Sequence, residues 1–372
     1  MNTKIKNHEP LFHISKNDAV PVKKALLIRV IAVLAALVFV GIMSMILIKE
    51  NPFLIFKAMI DGAFIDIWTL LQNTALLLMF GLAVVPAFQM KFWNLGANGQ
   101  VLIGCLAAIS CMKFIPTVAP NISNFLLIII MIAASLLASC VWSVIPAVFK
   151  AFFNTNETLF TLMMNYIALA LVDYFVFTWD KSGSGSIGIV NLLTGRKGWV
   201  PDIANNKYIL SVIVAVIMTV LMYVYMKYTK HGFEVSLVGE SVNTAKYVGI
   251  NVKKVIIRTL LLGGIVCGIL GFLYAGSVSH TINQEVGGLG FTAILVAWLA
   301  NFDSSVMVLT SFFVVFLDTG SKYVSTQFQL NSNDYANIVV GIIFFFVIGC
   351  EFFIRYKIQF NKKKPTVSER KG

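Results

Sequence analysis

The stretch YTKHGFEVSLVGESVNTAKYVGINVKK, Tyr228 to Lys254, is the longest polar break with helical signals between two hydrophobic blocks of this chain. Its reading sets the architecture. Ser241 suits an N-cap, Val242, Ala245 and Val248 fall on one side of a short helix, and Gly249 suits a left-handed stop. A helix of about two turns is marginal alone in water and needs something to dock against. Lys227, Lys230, Lys246, Lys253 and Lys254 place the loop on the cytoplasmic side of a membrane. The segment reads either as a lever for a soluble partner or as a solvated loop tethering two bundles.

Outward from that loop the chain is apolar. Of 372 residues, 58% are hydrophobic and 12% charged, and the mean hydropathy is +0.84. Apolar runs of about 20 residues recur, the length that crosses about 30 Å of hydrocarbon. The fold class is therefore all-α, a polytopic helical membrane protein with about ten transmembrane helices. The expected spans are 29–48, 68–88, 95–113, 124–148, 158–178, 208–226, 255–274, 289–301, 305–322 and 335–354. They divide into a first half, 29–178, a coupling loop, 227–254, and a second half, 208–354 with that loop included. A tail at 1–28 and a basic tail at 355–372 complete the chain, both read as solvated segments beside an anionic leaflet. With the N-terminus inside, 21 Lys and Arg fall on the inner side and 8 on the outer. That asymmetry places both termini in the cytoplasm. The net charge of +12 follows this topology and does not require nucleic acid.

Outside, NPFLIFKAMIDGAF opens with a helix-start signal at Asn51-Pro52 and reads as a short surface helix. The loop 179–207 reads as an irregular, flexible connection. Two spans begin unusually. The third opens KFWNLGANGQVLIG, with Asn94, Asn98 and Gln100 among its glycines; the eighth opens with Gly287, Gly288 and Gly290 before about a dozen apolar residues and Thr292. Short glycine-interrupted segments at matching places mark a transport pathway, or else close helix packing. Two five-helix halves of inverted topology fit their positions. Gly264, Gly268 and Gly271 in span seven read as a packing face.

Polar residues inside the spans are hypotheses by default. Asp173 either reaches the interface or lines a hydrated cavity. Asn165, following Glu157 and Thr161, is either interhelical glue or a pathway group. Amides and hydroxyls suit a small neutral polar solute, and the four histidines lie outside the spans. The five cysteines are scattered through apolar runs and read as small hydrophobes, with no metal-ligand spacing. The chain contains no Gly-Lys dipeptide and so no phosphate-binding loop. No cofactor is expected of this subunit, and any ATP would be hydrolysed by a partner. A self-contained secondary transporter is the competing reading.

FWNLGANGQVLIG (Phe92–Gly104), GFEVSLVGESVNTAKYVGINV (Gly232–Val252) and GLGFTAILVAWLA (Gly288–Ala300), in this order, resemble the permease subunits of ATP-binding-cassette importers. The superfamily is that of branched-chain amino acid and simple sugar permeases, and the likeness is strongest to its nucleoside or simple-sugar branch. The resemblance implies a non-enzymatic transport subunit in the cell membrane. Its implied partners are a cytoplasmic ATPase, a second permease (homologous or identical) and an external solute-binding protein. It implies a nucleoside as solute first and a simple sugar next. It also carries the ATPase-coupling role onto Gly232, Phe233, Val238, Gly239, Ala245, Tyr247 and Gly249. The chain departs from the family pattern at Asn98, where a carboxylate is common, and at Ser236 and Ser241-Val242.

Overall fold

The computed structural model describes residues 12–16, 21–180, 186–193, 195–203, 206–282, 289–330 and 334–360. Gly287 and Gly288, and part of the KSGSGSIG loop, lie outside the described residues. In chain order the elements are β1 (Phe12–Lys16), α1 (Val22–Ile48), α2 (Pro52–Phe64), α3 (Ile67–Gln89), α4 (Ala97–Val118), α5 (Asn124–Phe153), α6 (Glu157–Trp179) and α7 (Ile209–Tyr228). There follow α8 (Lys230–Glu240), α9 (Val242–Tyr247), α10 (Val252–Leu273), a π-helical turn (Tyr274–Val278), α11 (Leu289–Leu299), α12 (Ser304–Gln327), α13 (Asp334–Arg355) and β2 (Tyr356–Phe360). Among the described residues nine helices are long and apolar enough to cross a membrane, and Leu289–Leu299 is a shorter apolar helix. The chain is a helical, multi-pass membrane protein.

Among the described residues the eighth expected span, already short in the sequence, forms as the 11-residue helix α11. Eleven residues of α11 rise only about 16 Å, and the chain turns at once through left-handed Asn301 (φ 50°) and Phe302 (φ 61°). The expected surface helix forms as α2, with Asn51 Oδ1 accepting from Phe53 N–H at 2.9 Å.

The chain divides into two compact units, Met1–Met59 with Ser321–Gly372, and Ile60–Gly320. In the first, α1 packs on α13. Ser44, near the end of α1, meets the Tyr335 hydroxyl at 2.7 Å, at the start of α13, so the two helices run antiparallel. The tails expected to be solvated are not independent: β1 pairs antiparallel with β2, from Phe12 opposite Phe360 to Lys16 opposite Tyr356. Hydropathy could not show this, because a strand pair is specified by its partner.

The second unit is built around α3, almost all of it buried, with α7, α10 and α11 against it. Against α10 lie α4 and α5. A Cβ on Gly268 would sit 2.8 Å from Leu136 Cα, and one on Gly271 2.8 Å from Cys105 N and Val101 O. The glycine face of α10 is thus what lets three helix backbones meet. Hydroxyls on α5 fill the same seam, Ser135 Oγ donating to Gly268 O at 2.7 Å and Ser139 Oγ to Gln100 O at 2.8 Å. Cys105, Cys267 and Cys350 are buried thiols.

Among its described residues the connection between α6 and α7 is irregular but tied down. Val190 N–H donates to His280 O and Val200 N–H to Gly276 O, both at 2.9 Å. Gly198 N–H donates to Asn124 Oδ1 at 2.7 Å, and the Trp199 ring stacks on His280 at 3.8 Å. Acceptors far apart in sequence replace the loop's missing ladder. Burial pushes the His280 imidazole down to about 4, opposed by the Ala275 carbonyl and Asp202 and reinforced by Lys207 and Arg196. A histidine held neutral stabilises the fold above its unfolded value near 6.5, and that contribution fades as pH falls toward about 4. Exchange at the Val190 and Val200 amides, corrected for intrinsic pH dependence, is expected to speed up between those limits. In His280→Phe it should stay flat with pH.

Candidate functional site

Two places in the second unit gather the residues singled out by sequence. The first is the start of α4. After α3 the chain reverses through left-handed Lys91 (φ 58°), and Asn94 turns it again by accepting from Gly96 N–H at 3.1 Å. Thr161 of α6 accepts from Leu95 N–H at 3.1 Å and reaches the Glu157 carbonyl at 2.8 Å. Gln100 points back at Asn94 Oδ1, 3.5 Å away, and its own Oε1 lies 3.4 Å from Cys267 Sγ. Asn94, Gln100 and Thr161 are all buried. Their hydrogen bonds are used to clamp α4, α6 and α10 together.

Asn98, Asn165, Gly290 and Thr292 are placed differently. Asn98 and Thr292 are half-buried. A Cβ on Gly290 would lie 2.6 Å from Asn98 Cβ and 2.9 Å from its Oδ1, so the two glycine-rich helix starts meet at their first turns. On the other side, a Cβ on Gly99 would lie 3.0 Å from Asn165 Oδ1. Asn165 is 1% exposed, and its Oδ1 has no hydrogen-bond partner among the described residues. A buried acceptor without a donor is costly and marks a place where a donor can be received. Asp173, half-buried two turns further along α6, is not brought to this junction. Beside the junction, sequence reading missed an aromatic cluster. Trp93 lies tilted against Trp298 at 5.4 Å and meets Phe88 edge-on at 5.3 Å, while Phe88 stacks on Phe302 at 5.8 Å. The signal was available, since Trp93 and Trp298 sit inside the two motifs whose helix starts meet.

The second place is the polar segment itself. It holds two helices, one of them unforeseen. Thr229 caps α8 by accepting from Gly232 N–H at 3.2 Å, and Ser241 caps α9 by accepting from Thr244 N–H at 3.2 Å. Gly249, at φ 89°, closes α9, with Ile250 N–H on Ala245 O at 2.9 Å and Gly249 N–H on Lys246 O at 3.0 Å. Asn251 then caps α10. Val235, Val238 and Ala245 are buried in one apolar cluster with Met90, Phe92 and Leu260. The expected apolar side of α9 is thus only partly used: Ala245 docks, while Val242 and Val248 face outward.

Gly232 and Gly239 set how closely this element seats. A Cβ on either glycine would run into backbone, at Met226 O for Gly232 (2.2 Å) and at Gln89 O for Gly239 (2.0 Å). Only glycine brings α8 against the end of α3. On the open side Phe233 is 62% and Tyr247 94% exposed. A groove of about 270 Å³ runs beside Gly239 and Val242, with the Lys150–Glu157 ion pair (2.8 Å) at its edge. That pair joins the last turn of α5 to the first turn of α6, where each charge suits its helix end. Burial holds the His231 imidazole below its ordinary value, Glu234 opposing and Arg258 reinforcing the effect, and its Nδ1 lies 3.1 Å from the Tyr225 hydroxyl. Among the described residues no group of His, Cys, Asp and Glu could hold a metal.

Residues 67–348 match the family described as branched-chain amino acid transport system / permease component. The chain is 29% identical to the guanosine ABC transporter permease protein of Bacillus subtilis, over 83% of this chain and 89% of that one. It is 28% identical to the glucose ABC transporter permease protein of Haloferax volcanii, over 88% of each. It is 24% identical to the nucleoside ABC transporter permease protein of Lactococcus lactis subsp. cremoris, over 92% of this chain and 98% of that one. No solved structure matches.

Proposed function

Since the chain belongs to the permease family of the branched-chain amino acid transport system, we propose that it is the membrane subunit of an ATP-driven importer for a small neutral polar solute. The solute is a nucleoside first and a simple sugar next. ATP is hydrolysed by a cytoplasmic ATPase on another chain, and this subunit carries no cofactor. It sits in the cell membrane with both termini inside. It pairs with a second permease, homologous or identical, and receives solute from an external binding protein.

The observation that carries the reading is the seat of α8 and α9. One side is buried in the cluster of Met90, Phe92 and Leu260, and the other presents Phe233, Val242, Tyr247 and Val248. A short element braced on one side and open on the other transmits force. Movement of a partner bound at Phe233 and Tyr247 passes through Gly239 to the end of α3. From there it reaches α10 and α11, which pack on α3, and so the junction of Asn98, Asn165 and Gly290. Rigid helices with two arrangements are enough for alternating access. At the junction, neutral amides suit hydroxyl and amide groups of a solute. Three relatives are named for guanosine, glucose and nucleosides.

The test is gentle solubilisation of the tagged protein from its native membrane, identification of co-purifying chains, and ATP-dependent uptake of labelled guanosine and glucose. Recovery of an ATPase, with guanosine accumulated ahead of glucose, is expected. Recovery of this chain alone, with uptake indifferent to ATP, would favour a secondary transporter.

A further inference from the structure

The terminal segments 1–28 and 355–372 hold twelve Lys and Arg against three acidic residues, a net +9 of the chain's +12. The ladder between β1 and β2 pairs residues 12–16 of the one segment with 356–360 of the other. It lies at one end of the antiparallel α1–α13 pair, because α13 runs directly from Arg355 into Tyr356. Register then sorts the strand residues. Partners across an antiparallel ladder share a face, and alternate residues change face. Phe12, Ile14, Ile358 and Phe360 therefore fall on one face of the ribbon, with Lys16 and Tyr356. His13, Ser15, Lys357 and Gln359 fall on the other.

A two-stranded ribbon is marginal in water unless its apolar face is covered. This one starts where a membrane span stops, with the Tyr356 ring 5.2 Å from Phe352 of α13 and Tyr356 and Lys357 exposed. An apolar face at the level of the headgroups, flanked by a large positive excess, matches one surface in chemistry. We propose that the paired termini form an interfacial ribbon that lies on a bilayer rich in anionic phospholipid, apolar face toward the acyl boundary and basic flanks on the headgroups. The ribbon would lie there whatever solute is moved, and with or without an ATPase bound.

The full chain is placed in nanodiscs of phosphatidylcholine with and without phosphatidylglycerol, and exchange is followed at the amides of 12–16 and 356–360. Anionic lipid should slow exchange by at least the roughly fivefold that one lysine is worth near such a surface. High salt should remove the difference. The variant K362Q/K363Q/K364Q should lose most of it with its helix content unchanged, and I14S/I358S should exchange fast in both lipids. Equal exchange in the two lipids, fast or slow, overturns the proposal. So does protection that develops only when a second copy or an added ATPase is present.

Discussion

Gly239→Ala should abolish ATP-coupled uptake while the protein still inserts. The new Cβ would stand 2.0 Å from Gln89 O and 3.3 Å from Met90 Cα. These are backbone atoms at the end of a buried helix, so they cannot rotate aside, and α8 must lift. Overpacking of this kind costs about 1–3 kcal/mol, set against a propensity gain of about 1 kcal/mol for alanine over glycine in a helix. The damage falls on the seating of Val235 and Val238, where the proposed coupling depends on it. Uptake in membrane vesicles, normalised to inserted protein, and exchange across residues 230–247 are the two readouts. Gly249→Ala is the comparison: at φ 89° with open space around it, it costs about 1 kcal/mol in backbone strain and leaves the α8 seat intact. Uptake at the parental rate in Gly239→Ala would sink the coupling role. Fast exchange with normal uptake would show that the seat is loosened without being needed for coupling.

Gly290→Ala should be nearly as severe, and Asn98→Gly should repair it. The added Cβ meets Asn98 Cβ at 2.6 Å and its Cγ at 2.9 Å. Rotating Asn98 moves the Cγ but not the Cβ, so the first turns of α4 and α11 must part. Removing the Asn98 side chain clears the three atoms nearest that Cβ, at about 0.5–1 kcal/mol for glycine in a helix. Thermal unfolding of the two single variants and the double variant gives a cycle. The expected coupling energy is at least about 1 kcal/mol, favouring the double variant. Additive losses would mean that the first turns of α4 and α11 do not meet in the folded protein. Solute binding by the double variant tests the Asn98 amide separately: restored stability with lost binding assigns the amide to the pathway.

These two contacts also divide what could be read from the chain from what could not. Span positions and the helix stop at Gly249 follow from the lengths of apolar runs and from turn chemistry within a few residues, so composition and spacing reach them. Ser241 as a cap and Asn51-Pro52 as a helix start are equally local. The helix Lys230–Glu240 was not foreseen, because its two glycines argue against it and its stability comes from docking Val235 and Val238 on Met90 and Leu260. The same limit applies to the polar pathway candidates. Asn94, Gln100, Thr161 and Asn165 are alike in chemistry, and only their partners divide the first three, which hold helices together, from Asn165, whose Oδ1 is left over.

The sequence by itself determined that this is a helical membrane protein and where its chain turns, because hydrophobic length and capping act over a turn or two, and three of its motifs carried the permease resemblance. Only the tertiary structure decided that the first turn of the short eighth span meets that of the third. It alone set α8 against α3 and closed the termini into a ribbon. In each case the deciding energy is a contact between residues far apart in the chain, where a single Cβ or a strand partner makes the difference.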